Sequence, residues 1–177
     1  MTSTQLAGEK KEDKRKLYFF IGGVFIFSIF SFWLTSQDSF IKVVQPLLNL
    51  YTYLSSKILN IFGYATSARA EYLSGPAFSL EVKKGCDAIA PMILLVLSIL
   101  FFPAPFKSKP KAILYGIGLL FLLNLVRIIS LYLVKLYVPS IFDFMHTDLW
   151  QIVFIVFTLY LWLRWLRKES NPAHAQN

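Results

Sequence analysis

The one cysteine in the chain, Cys86, stands in Lys83-Lys84-Gly85-Cys86-Asp87-Ala88, where a polar segment runs into a long apolar one. Two more polar residues sit where their neighbours make them costly: Arg127 inside an apolar run, and His146 just ahead of another. Thiol, guanidinium and imidazole are a set for acyl transfer. Cysteine attacks a peptide carbonyl, histidine moves protons to and from the leaving group and the incoming nucleophile, and arginine stabilises the oxyanion or positions the substrate backbone. No carboxylate dyad or phosphate loop competes. Asp87, Asp143 and Asp148 could join His146 and Cys86 in a metal site, but their spacing matches no compact ligand motif. Neither a metal nor a cofactor is expected.

Taken singly, each residue has a plainer explanation. A buried cysteine is commonly an inert small hydrophobe, but one at a helix N-terminus beside Lys83 and Lys84 sits where the macrodipole and the cations favour thiolate. A charge within a membrane span costs about 2.5–3.5 kcal/mol and usually faces the bundle interior with a partner. Arg127 therefore snorkels to the interface, pairs with Asp87, Asp143 or Asp148, or serves the site. Asn124, one turn earlier on the same helix face, and Asp87, next to the thiol, are supporting candidates. His146 alone reads as a satisfied interfacial histidine, and a reachable cysteine changes that weighting. His174 belongs to a polar tail and is set aside.

The elements that must position these residues are apolar. The chain is 56% hydrophobic, above the roughly 45–50% of soluble domains, so it is read as a membrane protein. Its net charge of +8 comes from basic residues clustered beside apolar runs, where they attract anionic lipid head groups and set topology; nucleic acid is not an expected partner. A single cysteine excludes an internal disulfide framework, and with two histidines it excludes a Cys/His zinc module.

The expected fold is an all-α integral membrane protein with four transmembrane helices, one interfacial amphipathic helix and a short extracytoplasmic strand. Residues 1–16 form a cytoplasmic tail and 17–35 the first span, an anchor rather than a signal peptide, since the apolar run is long and no Ala-x-Ala-like site follows. Residues 36–85 are extracytoplasmic. Within them, 40–62 repeats apolar residues at helical spacing around a polar stripe, which suits a helix lying in the membrane interface. Ala77–Val82 alternates after Gly75-Pro76, as a strand delivering Cys86 would. Spans follow at 86–102, 112–134 and 147–165, the catalytic unit being 86–165, and 166–177 is a cytoplasmic tail.

With four spans, the clusters Lys10–Lys16, Lys107–Lys111 and Arg164–Lys168 all fall inside the cell, as the positive-inside bias requires. Cys86 and His146 then share the outer level. Arg127, about seven residues before the outer end of its span, lies roughly 10 Å below it, within reach of its own side chain.

The residues Lys84-Gly85-Cys86-Asp87-Ala88, then Asn124-Leu125-Val126-Arg127-Ile128, then His146 ahead of Trp150-Gln151, resemble the exosortase and archaeosortase group of integral membrane transpeptidases, over roughly 78–165. The short chain and the Asn-Leu-Val-Arg-Ile wording resemble the small bacterial exosortases of H type. One position departs: Ala88 stands where that group often has glycine. The resemblance implies a cysteine peptidase or transpeptidase of the bacterial inner membrane with Cys86, Arg127 and His146 as catalytic residues. Its substrates would be exported proteins with PEP-CTERM-like C-terminal signals, made of a motif, a membrane helix and a basic tail. Cleavage would run through a thioester at the extracytoplasmic face. An anion transporter subunit, in which Arg127 lines the path and Cys86 is dispensable, and a non-enzymatic assembly protein are the competing classes.

Overall fold

The computed structural model describes residues 3–83 and 85–169, and His174 and Lys84 lie outside the described residues. The chain forms α1 (Ser3–Ser36), α2 (Asp38–Ile61), three short strands β1 (Ser67–Arg69), β2 (Tyr72–Ser74) and β3 (Ser79–Glu81), then α3 (Ile89–Phe101), α4 (Lys109–Tyr137), α5 (Phe142–Phe144) and α6 (Trp150–Glu169). The fold is mostly helical. Where one strand was expected, three form an antiparallel sheet in the order β1-β2-β3. Sequence alternation identified only β3, because there it continues past the strand over Ala77–Val82.

Among the described residues two stretches, Phe106–Tyr137 and Pro139–Glu169, are long and apolar enough to cross a membrane. The expected third and fourth spans fall within them. α3 has 13 residues, about 20 Å at 1.5 Å per residue, against the ~30 Å of a hydrocarbon core. It is the hub of the bundle all the same, packing against α1, α4 and α6. Glycines allow the close approaches: Leu95 lies against Gly116, and the Phe101 ring lies against Gly23. The C-terminal carbonyls of α3, which have no partner in the helix, accept from the Lys109 ammonium at 2.8 Å (Leu100) and 2.9 Å (Phe102). Lys109 is thereby buried, so a residue expected in a solvated basic loop is a helix cap.

Lys107, Lys111, Arg164 and Lys168 line one cavity between α4 and α6, and Phe20 of α1 stacks on Trp162 and edges against Phe102 at this end. The basic clusters after the second and fourth expected spans thus share one end of the bundle. Cys86 and His146 are at the other.

α2 is helical over the stretch that the periodicity marked. One side of it, with Val44, Leu48, Tyr51 and Leu59, is buried in a core shared with Leu125, Ile128 and Tyr132 of α4, while Val43, Leu50, Tyr53 and Ile61 are exposed. Tyr51 stacks on Phe121 of α4, and Tyr64, just after α2, shares a hydrogen bond with Tyr137 at the end of α4. The polar stripe is not left to water either. Asn60 bonds both the N–H and the carbonyl of Thr66, Ser56 bonds the Thr66 hydroxyl, and Gln45 donates to Glu71 at 2.7 Å. These contacts fasten the sheet to α2, so the polar stripe is the docking surface of another element.

Gly75, in the β2–β3 turn, makes the second attachment: any Cβ there would strike the Tyr132 hydroxyl. Gly75→Ala should therefore destabilise the protein by about 1–3 kcal/mol through overpacking. Tyr132→Phe should restore part of that loss when combined with it, by removing the obstructing oxygen, as thermal unfolding of the two single variants and the double variant in detergent would register.

Candidate active site

β3 ends at Glu81, and the chain then turns back under it. The Cys86 N–H donates to the Lys83 carbonyl at 2.9 Å, closing a turn in which Gly85 has φ +94°, a conformation glycine adopts without a Cβ penalty. Two residues later Ala88, the N-cap of α3, is left-handed at φ 59°, ψ 14°. Alanine thus stands on a backbone that favours glycine, and the turn is kept at a cost of about 1–2 kcal/mol.

Asp87 holds the turn together. Its carboxylate accepts from the Ile89 N–H at 2.9 Å and the Gly85 N–H at 3.2 Å, so it satisfies one free donor at the start of α3 and straps the residue before the cysteine. This is a structural use of an acid placed in the sequence as a supporting residue. Asn124 supports from the other side: its amide donates to the Cys86 carbonyl at 2.8 Å.

His146 lies in a π-helical turn, Met145–Leu149, that joins α5 to α6. Such wide turns interrupt the regular helical register. Here the imidazole Nε2 sits 3.1 Å from the Cys86 Sγ. The ring stacks flat on Phe142, with centroids 5.7 Å apart and planes 5° from parallel.

Arg127 reaches both segments from α4. One terminal nitrogen donates to the Gly85 carbonyl at 3.4 Å and the other to the His146 carbonyl at 3.3 Å, while the guanidinium carbon lies 5.7 Å over the Phe154 ring. The side chain is buried and its Nε has no partner. It forms no ion pair with Asp87, Asp143 or Asp148; among the described residues the ion pair seen is Lys83–Glu81 at 3.2 Å. No three His, Cys, Asp or Glu side chains among the described residues gather as metal ligands.

The electrostatics differ from those expected from the sequence. Burial pushes the Cys86 thiol above its ordinary value, Arg127 opposes that rise and Asp87 adds to it. Lys83 points away into its pair with Glu81, and the Asp87 carboxylate sits at the α3 N-terminus where the helix dipole would have helped a thiolate.

A cavity of about 740 Å³ opens onto this cluster, lined by Cys86, Asp87, Arg127 and His146 and by apolar side chains of β3, α3 and α6. Sequence reading missed three contributors. Phe142 could have been found, lying one helical turn before His146. Phe154 under Arg127 and Tyr51 beside Asn124 are contacts between helices with no local signature.

The arrangement is that of a helical membrane protein carrying a cysteine–histidine pair at one end of its bundle. The family model for transmembrane exosortases matches residues 14–163, and the chain belongs to that family. Neither a curated protein nor a solved structure matches it. Membership makes this a membrane protein and suggests a transpeptidase for sorting signals.

Two outcomes follow from the geometry. Ala88→Gly should raise stability by about 1 kcal/mol in thermal unfolding, since it relieves a left-handed alanine. Iodoacetamide should alkylate Cys86 with a midpoint above the ~8.5 of a free thiol, and Arg127→Gln should move that midpoint higher, because the lowering influence is then gone.

Proposed function

We propose that this exosortase is a cysteine transpeptidase that cleaves exported proteins at a C-terminal sorting signal, with Cys86 as nucleophile, His146 as proton carrier and Arg127 as the cation of the site. The observation that carries the reading is the 3.1 Å contact between Cys86 Sγ and His146 Nε2, made between residues 60 positions apart and held by hydrogen bonds from a third element, α4. A transporter lined by Arg127 has no need of that contact.

Attack on a peptide carbonyl transfers the thiol proton to His146 Nε2 as the sulfur–carbon bond forms, and the carbonyl electrons move to oxygen. Arg127 supplies fixed positive charge where thiolate and oxyanion develop, in a site whose burial strengthens it. Two of its N–H groups bind the Gly85 and His146 carbonyls; a guanidinium has five, so donors remain. Collapse breaks the carbon–nitrogen bond, and the proton on His146 passes to the leaving amine. A thioester on Cys86 is left. An incoming nucleophile, an amine or water, gives its proton to His146 and displaces the thiol.

Proton transfer to the imidazole accompanies the attack, across the 3.1 Å contact between Sγ and Nε2. The basic ends of the bundle are assigned to the cytoplasm and the Cys86 end to the outside, in a four-span topology of the bacterial inner membrane. A substrate helix would then lie in the bilayer beside α3 and α6, its outer end at the cavity mouth.

A tagged reporter ending in a PEP-CTERM-like signal, co-expressed in intact membranes, tests the reading by mass spectrometry. Wild type should give a cleaved product and a trappable thioester. Cys86→Ala and His146→Ala should each lose at least about 10³-fold in rate, and the double variant should lose little more, since the two act as a unit. Cleavage undiminished in Cys86→Ala would remove the nucleophile assignment.

A further inference from the structure

The sheet that leads into the thiol has one open side. β3 pairs with β2 alone, whereas β1, at the other edge, packs against α2. The Val82 N–H donates to the Glu71 carbonyl and the Gly75 N–H to the Phe78 carbonyl. Those two bonds fix the phase of the antiparallel ladder: the main-chain groups of Phe78, Leu80 and Val82 turn toward β2, and those of Ser79 and Glu81 turn to the opposite side. Leu80 to Lys83 also wall the cavity that holds Cys86 and His146. An unpaired strand edge therefore runs along the reaction cavity and ends a few residues from the thiol.

We propose that β3 is the docking strand for the protein substrate. The extended segment ahead of the scissile bond adds to the sheet as a fourth strand, hydrogen-bonding the main chain of Ser79 and Glu81, and so carries its carbonyl to Cys86. This rests on the sorting reading given above.

A thiol reaches a peptide carbonyl only where the chain is locally extended, and an extended segment brings a free N–H and C=O at every residue. Entering a cavity walled by Leu80, Val82, Ile128, Leu131 and Phe142, those groups leave water and need partners. An open edge supplies them without regard to side chain, which is how strand addition binds peptides. β3 runs toward Cys86, and the substrate's N-terminal part precedes its scissile bond, so the added strand runs parallel to β3. The exposed Glu81–Lys83 pair lies at this edge, and charge there discourages pairing with unselected strands.

The test uses the full chain and the same PEP-CTERM-like reporter. Glu81→Pro removes one outward N–H; the residue before proline stays extended, so the inward pairing of Leu80 is kept, and an edge strand accepts proline at such a position. Processing should be roughly five- to tenfold slower in Glu81→Pro than in Glu81→Ala, with iodoacetamide alkylating Cys86 equally fast in both. Equal processing by the two variants would overturn the dock and leave the sorting reading standing. A reporter left uncleaved by wild type would bring down the sorting reading and the dock together.

If altered alkylation shows that Glu81→Pro misfolds, cross-linking decides. Ser79→Cys in a Cys86→Ala background should form a disulfide with a reporter carrying cysteine just ahead of its signal helix. No capture, or Ser79-linked dimers of the protein alone, would overturn the proposal, the second because the edge would then be a self-association surface.

Discussion

The Arg127 guanidinium is held inside the protein by main-chain carbonyls and not by a carboxylate, and the geometry around the thiol depends on it. A buried cation needs partners that are acceptors. Here they are the carbonyls of Gly85 and His146, which belong to the two segments bearing thiol and imidazole. Satisfying the arginine and aligning the pair are therefore the same structural event. Among the described residues no acidic side chain lies within ion-pair distance of it, so the positive charge remains available to an anion formed during reaction.

The neighbouring supports divide the work by chemistry. Asp87 ties the turn to the first N–H groups of α3, Asn124 grips the Cys86 carbonyl from α4, and Phe142 fixes the plane of the imidazole. Each acts on the backbone or on a ring face, leaving the Sγ and Nε2 atoms free for each other. Ala88 marks the turn from Cys86 into α3: the chain keeps a left-handed backbone there at a residue that disfavours it.

Cys86 also lies at a seam between two packed regions. One is the core of α2, the sheet and the C-terminal half of α4, and Cys86 belongs to it; the other joins α3, the rest of α4 and α6, and begins at Ala88. The bundle sets the depth of His146 and Arg127, and the sheet and α2 set the approach of Cys86. A short α3 is tolerable in this scheme because it serves as the common wall of both regions, with its ends capped by Asp87 and Lys109.

Much of the site was legible because polar residues in apolar surroundings stand out: Cys86, Arg127 and His146 were singled out by cost alone, and counting along spans put them on one level. Helical periodicity identified α2, and long apolar runs identified α4 and α6. What the sequence by itself determined is thus where polar chemistry interrupts the apolar pattern, since that is a property of local composition. It did not determine that the polar stripe of α2 grips a sheet, that Lys109 caps α3, that Arg127 bonds carbonyls and not an aspartate, or that burial outweighs the nearby cation and raises the thiol. Those outcomes were decided by the tertiary structure, because hydrogen-bond partners, desolvation and ring contacts between separate helices depend on distances that no spacing along the chain encodes.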